Sequence, residues 1–342
     1  MEKPIIVKTK EEILDINKNI KLIDTFDEQV KELRLVKDPS LLSHNYFNEE
    51  NKEYFPSVWV YYPWENTAVK ILEEDDYFKL RSSRNHNLIT KEEGDLLKSK
   101  IIAAAGLNVG NPGVVCLALE SIGTEIRLAD FDPLSITNLN RFRSGLTSLG
   151  VNKAIISAQQ IYEINPFLNI KLYDEGIKDD NIEDFLNEAD IFIEEMDNLK
   201  LKIKTREIAK KRKVPVLMVT GNGEDVIIDV ERYDLDDDLK ILSGYLSDEI
   251  IKKVKNIKKG EGTFEERVLL AKDFMGVEYL DKRLINSFSQ VGKSIAGIPQ
   301  LAESSFLRGA TICRFVKRIL LKENIPSGRY KISLEGIKYE NN

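Results

Sequence analysis

The sequence predicts an α/β protein: a mostly parallel sheet with helices on both faces, preceded by a small N-terminal α+β module. Two observations carry this. From residue 101 onward, short apolar runs alternate with helix-like stretches, the pattern of parallel strands joined by crossover helices. The first run, IIAAA at 101–105, ends at Gly106, and the second, 125–129, delivers Asp130 and Asp132 at its end. Strand, glycine turn, helix, strand, acid is the order in which a half-sheet cradles a nucleotide, so the main domain is expected to be Rossmann-like.

The elements follow in order. Residues 1–80 form the accessory module. Thr9 and Glu12 make a capping-box pattern ahead of Ile13. A polar stretch, 37–54, lacks periodicity. Residues 58–62 (VWVYY) read as a strand closed by Pro63, and 67–80 as a helix. The aromatics Tyr54, Phe55, Trp59, Tyr61, Tyr62 and Trp64 admit a ligand-binding patch, although packing is the commoner reason for such a cluster. Thr90 and Glu93 repeat the capping box. The main domain occupies 81–342. Strands are expected near 101–105, 124–129, 168–173, 189–194, 214–219 and 225–231. Helices are expected near 112–122, 151–164, 180–188 and 198–212. A variable crossover insertion spans 232–300, with an acidic turn at Asp234, Asp236, Asp237 and Asp238 and a basic run at 252–259. A long helix from about Pro299, a final strand at 329–334 and a frayed tail from 338 close the chain.

Composition narrows the function. Of 342 residues, 57 are acidic and 50 basic, a formal net charge of -7, so there is no basic footprint for nucleic acid. The two cysteines, Cys116 and Cys313, lie far apart in sequence, which argues against a disulfide framework and a cysteine-based zinc site; both are expected in the core. No apolar stretch approaches a membrane span, and the N-terminus lacks the apolar core of a signal peptide, so a cytoplasmic location is expected. His44 and His86, the only histidines, leave few candidates for a histidine proton relay.

The chemistry is concentrated between 106 and 197. In Gly106-Leu107-Asn108-Val109-Gly110-Asn111-Pro112-Gly113, Asn108 and Asn111 replace two glycines of a dinucleotide fingerprint. The string reads as turns at Gly106 and Gly110 before a helix whose start offers N–H groups to an anion. Asp130 sits where an acid accepts hydrogen bonds from ribose hydroxyls, and Asp132 follows on the same side or caps the strand end. Asn138, Arg141 and Lys153 come next. Two cations just after the ribose acid serve a triphosphate better than a nicotinamide cofactor, although each is also an ordinary surface charge. Asp197 ends another strand at the same carboxyl edge and is the expected metal or ribose-side carboxylate, with Glu194 and the stronger Glu195 as competitors.

The string LADFDPLSITNLNR, then Gly150-x-x-Lys153-Ala154, Ile164-Asn165-Pro166 and Met196-Asp197-Asn198 resemble the ThiF/MoeB superfamily, which includes the ubiquitin-activating enzymes. The resemblance covers 81 to about 230. It implies ATP and Mg²⁺: Asp130 on the ribose, Asn138, Arg141 and Lys153 on the phosphates, and Asp197 on the metal. Arg84 resembles the family's arginine arm, which implies a homodimer in which Arg84 acts in trans. The expected catalytic set is thus Arg84, Arg141, Lys153 and Asp197. The nucleotide-binding set adds Gly106, Asn108, Gly110, Asp130, Asp132 and Asn138. The implied reaction is adenylation of a carboxylate, on a protein or peptide C-terminus such as that of a ubiquitin-like protein or on a small acid, with release of pyrophosphate. The chemistry needs positioning and charge stabilisation, and no protein nucleophile. The chain departs from the pattern in its glycine string, and it lacks the paired C-x-x-C knuckles of many bacterial members. Residues 232–300 hold no cysteine, so no thioester step is expected. Two other readings use the same fold. One is a non-catalytic scaffold. The other is an NAD- or flavin-linked oxidoreductase, in which Arg141, Lys153 and Asp197 would be idle.

Overall fold

The computed structural model of the chain describes residues 1–43, 54–256, 270, 272 and 274–333. The polar stretch from 44 to 53 with His44, residues 257–259 of the basic run, and the tail from 338 lie outside them. The chain divides into two compact units, Met1–Asp95 with Gln159–Leu168, and Leu96–Ala158 with Asn169–Asn342.

The first unit contains β1 (Ile5–Val7), α1 (Lys10–Ile16), β2 (Lys21–Asp24), α2 (Phe26–Lys37), β3 (Ser57–Tyr62), β4 (Thr67–Leu72) and α3 (Glu74–Arg81). Its strands form a sheet in the order β1-β3-β4-β2. The expected capping box is present at α1, where Thr9 Oγ1 accepts from the Glu12 N–H and the Glu12 carboxylate accepts from the Thr9 N–H. The single helix expected over 67–80 is wrong: Thr67–Leu72 is a strand, and the helix begins at Glu74. The hairpin turn at Asn66, with φ 46°, returns the chain alongside β3, and β4 pairs with β3 and β2 on its two edges. Ladder bonds on both edges outweigh any helical tendency of TAVKIL. Glu74, Asp75 and Asp76 then occupy the first turn of α3, where negative charge suits the helix dipole. Phe55, Trp59, Tyr61 and Tyr62 are buried, so these aromatics are packing; Tyr54 is exposed. Within the unit, Tyr62 donates to the Tyr162 carbonyl, Trp64 to Glu163 and Tyr77 to the Ile164 carbonyl. Helix α4 (Lys91–Lys98) leads out, its start carrying the expected Thr90–Glu93 capping bonds.

The second unit holds the large sheet, in the order β11-β10-β9-β8-β5-β6-β7. These strands are β5 (Ile101–Ala105), β6 (Glu125–Ala129), β7 (Asn169–Tyr173), β8 (Ile191–Glu194), β9 (Val216–Asn222), β10 (Asp225–Glu231) and β11 (Gly328–Ile332). The pairings from β7 through β6, β5 and β8 to β9 are parallel, while β10 and β11 are antiparallel additions. The flanking helices are α5 (Leu107–Leu119), α6 (Lys153–Ile164), α7 (Ile182–Phe185), α8 (Leu199–Lys211), α9 (Asp248–Asn256), α10 (Lys282–Phe288) and α11 (Ala302–Leu320). The sheet is therefore Rossmann-like and mostly parallel, as expected. Strand order reverses between β5 and β8, and ligands of such sheets bind outside the carboxyl ends of the strands at that reversal.

The boundary of α5 differs from expectation. The helix starts at Leu107, directly after Gly106, so Gly110 is a helical residue whose N–H bonds the Gly106 carbonyl at 3.0 Å. Gly106 alone makes the turn, at φ 89°. A Cβ there would fall 2.3 Å from the Glu195 carbonyl carbon, so the turn requires glycine twice over. Two further glycines serve helix packing. A Cβ on Gly113 of α5 would lie 2.6 Å from the Ile312 side chain of α11, and one on Gly309 of α11 would lie 2.6 Å from the Pro112 ring. The approach of α5 to α11 brings Cys116 and Cys313 together beside Glu120, their ligating atoms all within 4.8 Å of one another. Cys313 is core, as expected. Cys116, also expected in the core, is only half-buried on α5.

Candidate active site at the carboxyl edge of the sheet

The loops that leave β5, β6 and β8 meet in the second unit. Asp130, 7% exposed, directs its carboxylate at the start of α5: Oδ2 accepts from the Leu107 N–H at 2.6 Å and Oδ1 from the Asp132 N–H at 2.8 Å. It thus acts as an N-cap supplied from a neighbouring strand, taking up an N–H group that Gly106, without a side chain, leaves open. Burial pushes its pKa up, against the pull of these two N–H groups and of Lys153.

Lys153 opens α6 and is 4% exposed. Its Nζ lies 3.2 Å from Asp132 Oδ2, and its N–H bonds the Asp132 carbonyl at 3.0 Å. The stem of this lysine is therefore buried, with its head against a half-exposed carboxylate. Asn138 is buried and works within its own turn. Its side-chain carbonyl accepts from the Ser135 N–H at 3.1 Å and the Ser135 hydroxyl at 3.0 Å. The expected phosphate-addressing group thus shapes the loop that presents Arg141. The Arg141 guanidinium donates through Nη1 to the Thr137 carbonyl and to Asn140 Oδ1, while its buried Nε has no hydrogen-bond partner among the described residues. Burial draws its pKa down, and Asp197 opposes this.

Asp197 is exposed in the loop after β8. Its competitors are separated by the structure. Glu194 is fully buried and held by Lys202 at 3.0 Å and by Arg206, which in turn binds Glu231 at 2.7 Å, so it is a structural ion-pair member. Glu195 is buried against Gly106 and Gly110 and accepts the Val219 N–H at 2.6 Å. Burial pushes its pKa up to about 7, with Arg308 and Lys202 pulling the other way. Asn108 lies on the first turn of α5, its side-chain carbonyl oxygen buried and without a hydrogen-bond partner among the described residues. Arg84, in the first unit, is exposed on a short 3-10 turn, Ser83–Asn85.

Sequence reasoning missed α11's part in this site. Ser305 donates to the Arg141 carbonyl at 3.0 Å, Asn140 donates to the Gln300 carbonyl at 2.9 Å, and Arg143 stacks over Phe306 at 4.0 Å. The helix that follows the insertion thus braces the Asn-Leu-Asn-Arg loop. It also carries Arg308, a buried guanidinium whose field meets Glu195, Arg141 and Asp197. An arginine in a long amphipathic helix, some 170 residues from the motif, gives no periodic or spacing signal of this kind.

A Rossmann-like sheet, a single-glycine turn capped by an acid, and cations gathered at the strand-order reversal define the class as a Rossmann-like α/β protein. Residues 83–225 match the ThiF family. It is 34% identical over 319 residues to an uncharacterized protein of Mycobacterium tuberculosis, covering 92% of this chain and 42% of that protein. It is 26% identical over 202 residues to the tRNA threonylcarbamoyladenosine dehydratase of Haemophilus influenzae, covering 58% of this chain and 75% of that protein. Among solved structures, it resembles the Escherichia coli tRNA N6-threonylcarbamoyladenosine dehydratase, TcdA, in complex with AMP. The TM-score is 0.53 and the identity 17%, over 74% of this chain and 98% of that one, a likeness of fold. The chain thus spans less than half the length of the mycobacterial relative.

Proposed function

We propose that the chain is an adenylating enzyme, using ATP to activate a carboxylate as an acyl-adenylate with release of pyrophosphate. The observation that carries this is the convergence of Asp130, Lys153, Arg141 and Asp197 on the carboxyl edge at the strand-order reversal. The match of residues 83–225 to the ThiF family supports it, as does similarity to a probable adenylyltransferase/sulfurtransferase of Mycobacterium tuberculosis, 31% identical over 99 residues.

The residues fit a nucleotide. Among the described residues, the buried Arg141 Nε and Asn108 Oδ1 have no hydrogen-bond partner and are open to a ligand. Asp130 retains lone pairs for a ribose hydroxyl beyond the two N–H bonds it accepts. Lys153 can exchange Asp132 for a phosphate oxygen. Asp197 is an exposed carboxylate without a hydrogen bond among the described residues. That suits Mg²⁺, which binds through one or two carboxylates together with substrate phosphates. When bound, Mg²⁺ would neutralise charge on the leaving pyrophosphate.

The reaction is attack of a substrate carboxylate oxygen on the α-phosphorus, forming the C–O–P link of the acyl-adenylate and breaking the bond to the β-phosphate oxygen. No side chain need act as nucleophile, since a carboxylate is ionised at neutral pH. Lys153 and Arg141 hold the phosphates in line and carry developing charge. We further propose that the chain acts as a homodimer in which Arg84 reaches the partner's nucleotide, and that the acceptor is a protein or peptide C-terminus or a small acid.

The test is ATP–pyrophosphate exchange on the full chain with a library of peptides bearing free C-terminal carboxylates. Exchange should appear with some library members and fall at least about a hundredfold in Arg141→Ala and in Asp197→Ala. Exchange that survives both substitutions would remove these residues from the chemistry. Its absence with every peptide and small carboxylate, although ATP binds, would favour a non-catalytic scaffold.

A further inference from the structure

Arg308 has no place in the motif that defines the site, and among the described residues its side chain makes no hydrogen bond. Its side chain is 4% exposed, and its Nε is buried without a hydrogen bond. Among the described residues it makes no hydrogen bond and no ion pair, although a guanidinium carries five N–H donors. A buried charge left unpaired is among the most costly arrangements in a folded protein, and it persists where function requires it.

The surroundings have been shaped around this side chain. A Cβ on Gly221 of β9 would lie 2.2 Å from Arg308 Nη2, so glycine at 221 keeps room for the guanidinium. The neighbouring Ser304 hydroxyl is turned away, donating to the Asp225 carbonyl at 3.3 Å. The charged groups whose fields reach Arg308 are Glu195, at the end of β8, Asp197, in the loop beyond it, and Arg141, on the loop braced by α11. Arg141 repels Arg308, and its own buried Nε is also without a partner. Two guanidinium groups whose buried Nε atoms lack a hydrogen bond among the described residues thus lie within each other's field and within that of Asp197.

We propose that Arg308 is a binding residue for the polyphosphate tail of the nucleotide, sharing that tail with Arg141. Two cations that repel each other need an anion with several charges and several acceptor oxygens, and they need it at short range. A phosphate chain supplies both. A lone carboxylate, the other oxyanion of the proposed reaction, would leave one of the two guanidinium groups uncompensated. The inference rests on the nucleotide reading of the site and adds to it a residue from the far end of the chain.

The experiment uses the full chain as wild type, Arg308→Met and Arg308→Lys. Each is titrated calorimetrically with ATP, AMP and inorganic tripolyphosphate, and melted with and without ATP. Methionine fills similar volume without charge. Arg308→Met should bind ATP and tripolyphosphate roughly ten- to a hundredfold more weakly and AMP almost as well as wild type. Arg308→Lys should recover part of the loss. The unliganded methionine variant should melt at or above the wild-type temperature, because an unpaired buried charge has gone, and should show a smaller ATP-induced rise. Unchanged ATP and tripolyphosphate affinity would overturn the assignment, and so would equal weakening of ATP and AMP. A lowered unliganded melting temperature with an undiminished ATP shift would make Arg308 structural. A wild-type chain that binds none of the three ligands would defeat the nucleotide reading itself, an outcome seen before any variant is compared.

Discussion

At the scale of single residues, the site is built from groups that are buried before any ligand arrives. Glu195 is the clearest case. Its pKa of about 7 lies above the ordinary carboxylate value because burial penalises the anion more than Arg308, Lys202 and the Val219 N–H favour it. The folded state therefore holds this proton more tightly than the unfolded chain, and the stability it confers is lost as pH rises from about 4.5 towards 7. Glu195→Gln keeps an acceptor for the Val219 N–H and removes the titration. In chemical denaturation it should match wild type near pH 4.5 and exceed it at pH 8, by on the order of 1–3 kcal/mol. Equal stability at both pH values would mean that Glu195 is ionised in the native state without cost. Gly106 gives the opposite kind of prediction. An alanine there meets both a left-handed backbone and the Glu195 carbonyl, so Gly106→Ala should destabilise by at least about 2 kcal/mol, read as a shifted urea midpoint.

At the scale of elements, α11 links the fold to the site. It packs on α5 through Gly113 and Gly309, and its N-terminal half holds the loop that carries Arg141. Replacing Gly309 by alanine pits two effects against each other. Helix propensity favours alanine by about 1 kcal/mol, whereas a Cβ 2.6 Å from the Pro112 ring and 3.0 Å from its backbone overpacks the interface, at about 1–3 kcal/mol. Because a proline within a helix cannot give way, overpacking should win. Gly309→Ala should lower the melting temperature and weaken nucleotide binding together, whereas a stabilised variant would show that the helices can part. The same elements show what was legible in sequence. The strands of the main sheet and the caps at Thr9 and Thr90 were readable because alternation and capping are local signals. The start of α5 was not, because the carboxylate that caps it comes from Asp130 on another strand. Residues 67–72 were misread because their sheet partners, not their own composition, make them a strand.

At the scale of the whole molecule, the residues carrying the proposed chemistry divide between what the motif announces and what tertiary packing adds. Asp130, Arg141, Lys153 and Asp197 were named from order and spacing. The burial of Glu195, the commitment of Glu194 to an ion-pair network, the turn-shaping role of Asn138 and the presence of Arg308 follow only from contacts far apart in the chain. The proposed homodimer has its own test. If Arg84 serves the partner's nucleotide, then mixing inactive Arg84→Ala with inactive Asp197→Ala and allowing subunits to exchange should restore about a quarter of the wild-type sites. Pyrophosphate exchange that stays at background after mixing would place Arg84 in its own protomer's site or outside the chemistry.

The claim on which all of this rests is that the carboxyl edge of the large sheet binds ATP through Arg141. The direct measurement is calorimetric titration of Mg²⁺-ATP into the full chain, wild type beside Arg141→Ala. The account predicts one nucleotide bound per chain and at least about tenfold weaker binding in the variant. It is contradicted if the wild type takes up no ATP at millimolar concentration, or if the two proteins bind it equally well.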